Sequence, residues 1–114
     1  MRNWDEALAV ALALPGTLVE PYYGRPTAKL AANGRPFLSP GREADSFCLH
    51  LDLDTIEMLK ATDPATYHQT PHYEGWGVVL VRYGSDDPGR ILATIELAHA
   101  QATAKPKAKA RKKA

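Results

Sequence analysis

Cysteine is almost absent: Cys48 is the only one in 114 residues. That excludes an internal disulfide and a thiol-rich metal centre. Long apolar runs are missing too. The longest, Ala7 to Leu14, is eight residues, far below the roughly 20 that cross a bilayer. Asp5 and Glu6 stand where a secretory leader carries positive charge, so the cytoplasm is the expected compartment and no membrane partner is expected. The chain lacks a Walker-type phosphate loop, a Gly-x-Gly-x-x-Gly and a convincing pair of carboxylates. Nothing ties Ser46 or Cys48 to a base and an orienting group. No catalytic residue, cofactor or metal is therefore expected.

Charge is present but unevenly placed. The net charge of +1 hides a tail, residues 105–114, that holds six of the 14 basic residues and no acid. The remainder has eight basic against 13 acidic residues, a net charge of −5. The chain divides accordingly into a domain over residues 1–103 and a basic Ala/Lys/Pro tail over 104–114. Such a tail cannot build a core and is expected to be disordered. Its cations, Lys105, Lys107, Lys109, Arg111, Lys112 and Lys113, suit a polyanion held by counterion release. Contact by all six implies a log–log salt slope of about −5, with no reading of bases.

Within the domain the hydrophobic period changes several times. Asn3 with Glu6 three residues later marks a helix start in capping-box form, and Trp4, Ala7, Leu8, Val10, Ala11 and Leu14 follow at helical spacing. Pro15-Gly16 ends that helix. Thr27–Leu30 and Arg35–Leu38 flank Asn33-Gly34, a strong hairpin signal. Phe47, Leu49 and Leu51 alternate with Cys48 and His50, as in a half-buried strand. Asp54 with Glu57 predicts a second helix, stapled by Leu53 to Met58 and stopped at Asp63-Pro64. Val78–Val81 between Gly77 and Gly84 suggests a central strand. Asp87-Pro88 opens a last helix with Ile91, Leu92, Ile95, Ala98 and Ala102 on one face. Antiparallel pairing plus three helices predicts an α+β domain, with the helices packed on one face of an antiparallel sheet.

Certain residues also resemble a known family. Ala13-Leu14-Pro15-Gly16, then Tyr23-Gly24-Arg25-Pro26, then Pro71-His72-Tyr73 with Gly75 and Val79-Leu80-Val81-Arg82 together resemble the MmcQ/YjbR family over roughly Asn3 to Ala100. The resemblance implies a small cytoplasmic bacterial domain with a frataxin-like (CyaY-like) α+β fold. It also implies a DNA-binding label that rests mainly on fold similarity. It supplies no catalytic residues. The basic tail lies outside the family pattern.

Two candidate sites remain. Arg25, Lys29, Arg35 and Arg42 fall within 18 residues around the hairpin, half of the domain's basic residues, with no acid among them. A hairpin edged with arginine suits phosphate contacts in a groove; exposed cations on a hairpin equally protect a sheet edge. Tyr22 and Tyr23 beside Arg25 suit stacking. The second candidate is a ligand pocket at His72, Tyr73 and Trp76. His68 and His72 have metal-pair spacing only on a helix, and Pro71 and Gly75 argue for a loop. The sequence thus predicts a non-enzymatic DNA-binding protein, with non-specific contacts from the tail and the Arg25–Arg42 hairpin. The alternative is a small-molecule or protein interaction module around His72, Tyr73 and Trp76.

Overall fold

Asn3 opens α1 (Trp4–Leu12), its Oδ1 accepting from the Glu6 amide at 3.0 Å. The Glu6 carboxylate does not close the box on Asn3. It accepts instead from the backbone of Arg2 at 2.8 Å and from the Arg2 side chain at 3.2 Å. The computed structural model describes residues 1–22 and 24–107. Tyr23 and the tail cations Lys109, Arg111, Lys112 and Lys113 lie outside the described residues.

After Gly16, in the left-handed region at φ 69°, come β1 (Thr17–Tyr22), β2 (Arg25–Leu30), β3 (Pro36–Pro40) and β4 (Ser46–His50). The first of these has no apolar alternation to announce it. It lies at the edge of the sheet, where Pro21, lacking an N–H, is tolerated. Between β2 and β3 the chain turns through residues 31–34, with Gly34 at φ 71° and its amide donating to the Leu30 carbonyl at 2.8 Å.

Next come α2 (Leu53–Thr62), β5 (Tyr67–His68), β6 (Val78–Arg82) and α3 (Pro88–Thr103). The cap of α2 is Asp52, whose Oδ1 accepts from the Thr55 amide at 2.7 Å, rather than Asp54. The staple moves with it. Leu51 and Ile56 are buried in the core, whereas Leu53 and Met58 stay about half exposed. Helix α3 starts as the sequence predicts, with the Asp87 carboxylate accepting from the Arg90 amide and Pro88 in the first turn. Leu92 is exposed, however; Thr94 is buried and bonds the Tyr67 hydroxyl at 2.9 Å.

Among the described residues the strands form one antiparallel sheet in the order β1-β2-β3-β4-β6-β5. Ala28, Leu38, Leu49 and Val79 are successive cross-strand partners and therefore share a face. All three helices contribute to the core on that face, through Ala7 and Ala11, Ile56 and Leu59, and Ile91, Ile95, Ala98 and Ala102. The register between β2 and β3 slips by one residue at Ala28/Lys29. The bulge lets neighbouring Phe37 and Leu38 both join the core, Phe37 meeting the His99 ring of α3 edge-on at 5.4 Å. The fold is α+β. No described helix is long and apolar enough to cross a membrane.

Candidate functional site

The face turned away from the helices is where charge and aromatic side chains collect. There Cys48 pairs with Ser39 on one side and Leu80 on the other. Above this surface runs the segment from Thr70 to Gly77, which connects β5 to β6 and carries His72, Tyr73 and Trp76. Sheet and segment enclose an open cavity of about 730 Å³, within the usual range for small-molecule sites.

The strands supply the floor: Thr27 from β2, Ser39 from β3, His50 from β4 and Val78 from β6. Arg25 and Arg42 stand at one end, and His72, Tyr73 and Trp76 line the other side. Tyr22 completes the wall at the β1 edge. None of the lining residues is an Asp or Glu. In a domain whose acids outnumber its bases, that local excess of cations concentrates a positive potential in a concave surface.

Of the two cationic heads, that of Arg25 is placed by backbone carbonyls. Arg25 Nη1 donates to the Pro40 carbonyl at 3.3 Å and the Gly41 carbonyl at 3.1 Å, which holds the guanidinium against the β3–β4 connection. That connection needs glycine at 41, because a Cβ there would lie 2.5 Å from the Ser46 carbonyl oxygen. The next residue, Arg42, makes no hydrogen bond or ion pair among the described residues and is available to a ligand.

A single side chain ties down the segment above. Gln69 Nε2 lies 3.0, 3.2 and 2.7 Å from the carbonyls of Tyr73, Trp76 and Val78, its two protons shared among three acceptors. Its Oε1 accepts from Lys60 Nζ at 2.9 Å. Gly75, at φ 82°, provides the left-handed residue of the turn. The His72 and Tyr73 rings meet edge-on at 5.0 Å, and Trp76 remains 68% exposed at the lip.

Electrostatics follow burial. Burial is the main cause holding the His50 imidazole down at about 4, with Lys105 adding to it, so the ring is neutral at physiological pH. The Tyr73 phenol is raised by burial and by Cys48, against a lowering pull from Arg42 and Arg25. The Cys48 thiol is likewise raised by burial, offset in part by its hydrogen bond with Ser39 and by Arg25. The cavity thus offers fixed guanidinium charge, hydroxyls, a neutral imidazole and aromatic faces.

Residues that the sequence assigned to two separate sites meet here: Arg25 and Arg42 from the hairpin with His72, Tyr73 and Trp76 from the later segment. Lys29 and Arg35 do not join them. Lys29 Nζ lies 3.7 Å from Glu20 and 5.2 Å from the Tyr22 ring centre. Arg35 stands at the turn end of the hairpin, its Nε donating to the Pro106 carbonyl at 2.8 Å. Lys105 and Lys107 follow α3 as exposed residues. His68, on β5, does not line the cavity; its Nδ1 is buried without a partner among the described residues, and burial followed by Arg82 lowers its pKa. Among the described residues no three His, Cys, Asp or Glu side chains cluster to hold a metal ion. Sequence reasoning missed His50 and Gln69. His50 carried one signal, its place on the polar side of an alternating strand; Gln69 carried none. No family model, curated protein or solved structure matches this chain.

Proposed function

We propose that this chain is a non-enzymatic binding module of the MmcQ/YjbR type, acting in the cytoplasm, that takes a small anionic molecule on the open face of its sheet. The observation that carries this reading is the cavity itself: two guanidinium groups, one of them without a partner among the described residues, and no carboxylate in the lining. An anion there would gain charge-assisted hydrogen bonds from Arg25, already held in position, and from Arg42. The resemblance to a frataxin-like domain adds fold-level analogy only.

The test is an NMR titration of the full chain with inorganic phosphate and with acetate. Cavity amides at Thr27 and Ser39 and the Trp76 indole should shift together, and Arg42→Gln should weaken binding by about tenfold. If neither anion moves these signals at millimolar concentration, or if Arg42→Gln binds as well as the parent, the reading fails.

A second reading, salt-sensitive association with duplex DNA, is supported by a separate observation: six cations in the last ten residues, with Arg25 and Arg42 on one side of the sheet. The two readings share Arg25 and Arg42, but the tail belongs to the second alone, and shortening the tail tests it separately.

A further inference from the structure

We infer that the anion taken by this cavity is a nucleoside 5′-phosphate, its phosphate between Arg25 and Arg42, its sugar over Ser39, and its base against Trp76 and His50. This rests on the anion-binding reading and adds the class of ligand.

Three observations carry it. The first is the make-up of the cationic end. Arg25 is anchored through Nη1 on the Pro40 and Gly41 carbonyls, Arg42 follows directly and has no partner among the described residues, and the Tyr73 phenol is close enough to feel both charges. Two guanidinium groups with a phenol within their electrostatic reach supply several donors and suit a head with three oxygens, such as a phosphate monoester. A carboxylate, flat and with two oxygens, is satisfied by one guanidinium edge.

The second is length. The Arg25 head sits at the level of Pro40, whose partner on β4 is Phe47; His50 stands three residues further along β4, opposite Val78. At the strand rise this places the imidazole roughly 10 Å from the cationic end. A phosphate and a planar ring joined directly would not span that distance, whereas a sugar between them fills it. Ser39 lies along the way, while the Thr27 hydroxyl is fully buried and donates to the Arg25 carbonyl at 3.1 Å.

The third is the far end. Trp76 keeps its indole 68% exposed at the lip, beside the neutral imidazole of His50 and the apolar Val78. An exposed indole is a stacking surface, and base stacking tolerates any of the four bases. A neutral imidazole can donate to or accept from a base edge without adding charge.

The test is calorimetry on the full chain with the four ribonucleoside 5′-monophosphates, their nucleosides, and inorganic phosphate. A 5′-phosphorylated and an unphosphorylated oligothymidine form the remaining arms, since a strand end carries the same chemistry as a free nucleotide. At least one monophosphate, or the phosphorylated oligonucleotide, should bind about tenfold or more tightly than phosphate and than its own dephosphorylated form. Trp76→Ala should remove most of the advantage over inorganic phosphate, and Arg42→Gln most of the advantage over the dephosphorylated form. Both positions are exposed, so neither change disturbs the core, and an unchanged NMR spectrum away from the cavity checks this. If phosphate binds as well as every nucleotide and depends on Arg42, the anion site stands and the nucleotide class is wrong. If nucleotides bind but Trp76→Ala has no effect, the placement of the base is wrong and the inference falls. If no anion binds at all, the underlying reading fails with it.

Discussion

His50 shows how a single residue is set by its surroundings. Its side chain lies on the cavity side of β4, and burial is the main reason its pKa falls from 6.5 to about 4. The sign of the effect on stability follows from proton counting. Between about pH 6.5 and 4 the unfolded chain holds a proton on this ring and the folded chain does not. Stability is therefore complete above 6.5 and is lost as pH falls toward 4. The ring keeps part of its surface open to the cavity, so the loss is about 2 kcal/mol rather than the full value of the pKa difference. Urea unfolding from neutral pH down to pH 4 should show this decline, and His50→Gln should flatten it, leaving a smaller slope from His68, which is lowered in the same direction. Equal slopes for parent and variant would refute the assignment.

Elements explain what the sequence made legible. Where a signal is local, it was readable: Asn3 and Asp87 cap their helices, Phe47 and Leu49 alternate into the core, and Val78–Val81 lies inside the sheet. Two strands left no such trace. Thr17–Tyr22 pairs on one side only and so needs little apolar surface, and Tyr67–His68 is too short to show a period. The cavity was unreadable for a further reason. Strand neighbours in space are set by pairing, and β6 joining β4 is what brings a segment near residue 73 over the hairpin end at residues 25 and 42. Asn33 was read as a turn residue, yet its larger role is between elements. Its Nδ2 donates to the carbonyls of Ala102 and Lys105 at 2.8 and 3.2 Å, while its Oδ1 accepts from the Arg35 amide at 3.0 Å. The hairpin turn thus closes the C-terminal end of α3. Asn33→Ala should cost about 1–3 kcal/mol in urea unfolding and speed amide exchange in the last turn of α3. Asn33→Asp keeps the acceptor but sets a negative charge against those carbonyls, and should be no more stable than the alanine variant. Full stability in Asn33→Asp would show that the donations to α3 contribute little.

At the scale of the whole molecule, charge separates into an acidic body, a cationic cavity and a basic tail. The DNA reading depends on the last of these, and the contacts of Arg35 and Asn33 dictate where to cut. Ending the chain after Ala104 would remove the Lys105 and Pro106 carbonyls that these side chains hold. Ending it after Lys107 leaves them and removes Lys109, Arg111, Lys112 and Lys113. Fluorescence anisotropy with duplex DNA should then show the log–log salt slope fall by about 3.6. An unchanged slope would place the contacts elsewhere, and no binding by the full chain at low salt would end the DNA reading. The bulge at Phe37 also keeps the two sides of this molecule apart. It holds one residue more than the partner strand needs, so chain length can change there without resetting the strand. Deleting Phe37 would let Pro36 and Leu38 keep Lys29 and Ala28 as partners, and Ser39, Pro40 and Gly41 would hold their phase. The Arg25 anchor on Pro40 and Gly41 would stay, and the loss would fall on the packing of Phe37 against α3. A deletion elsewhere in this strand would turn every later side chain to the opposite face; at the bulge it is confined to the core.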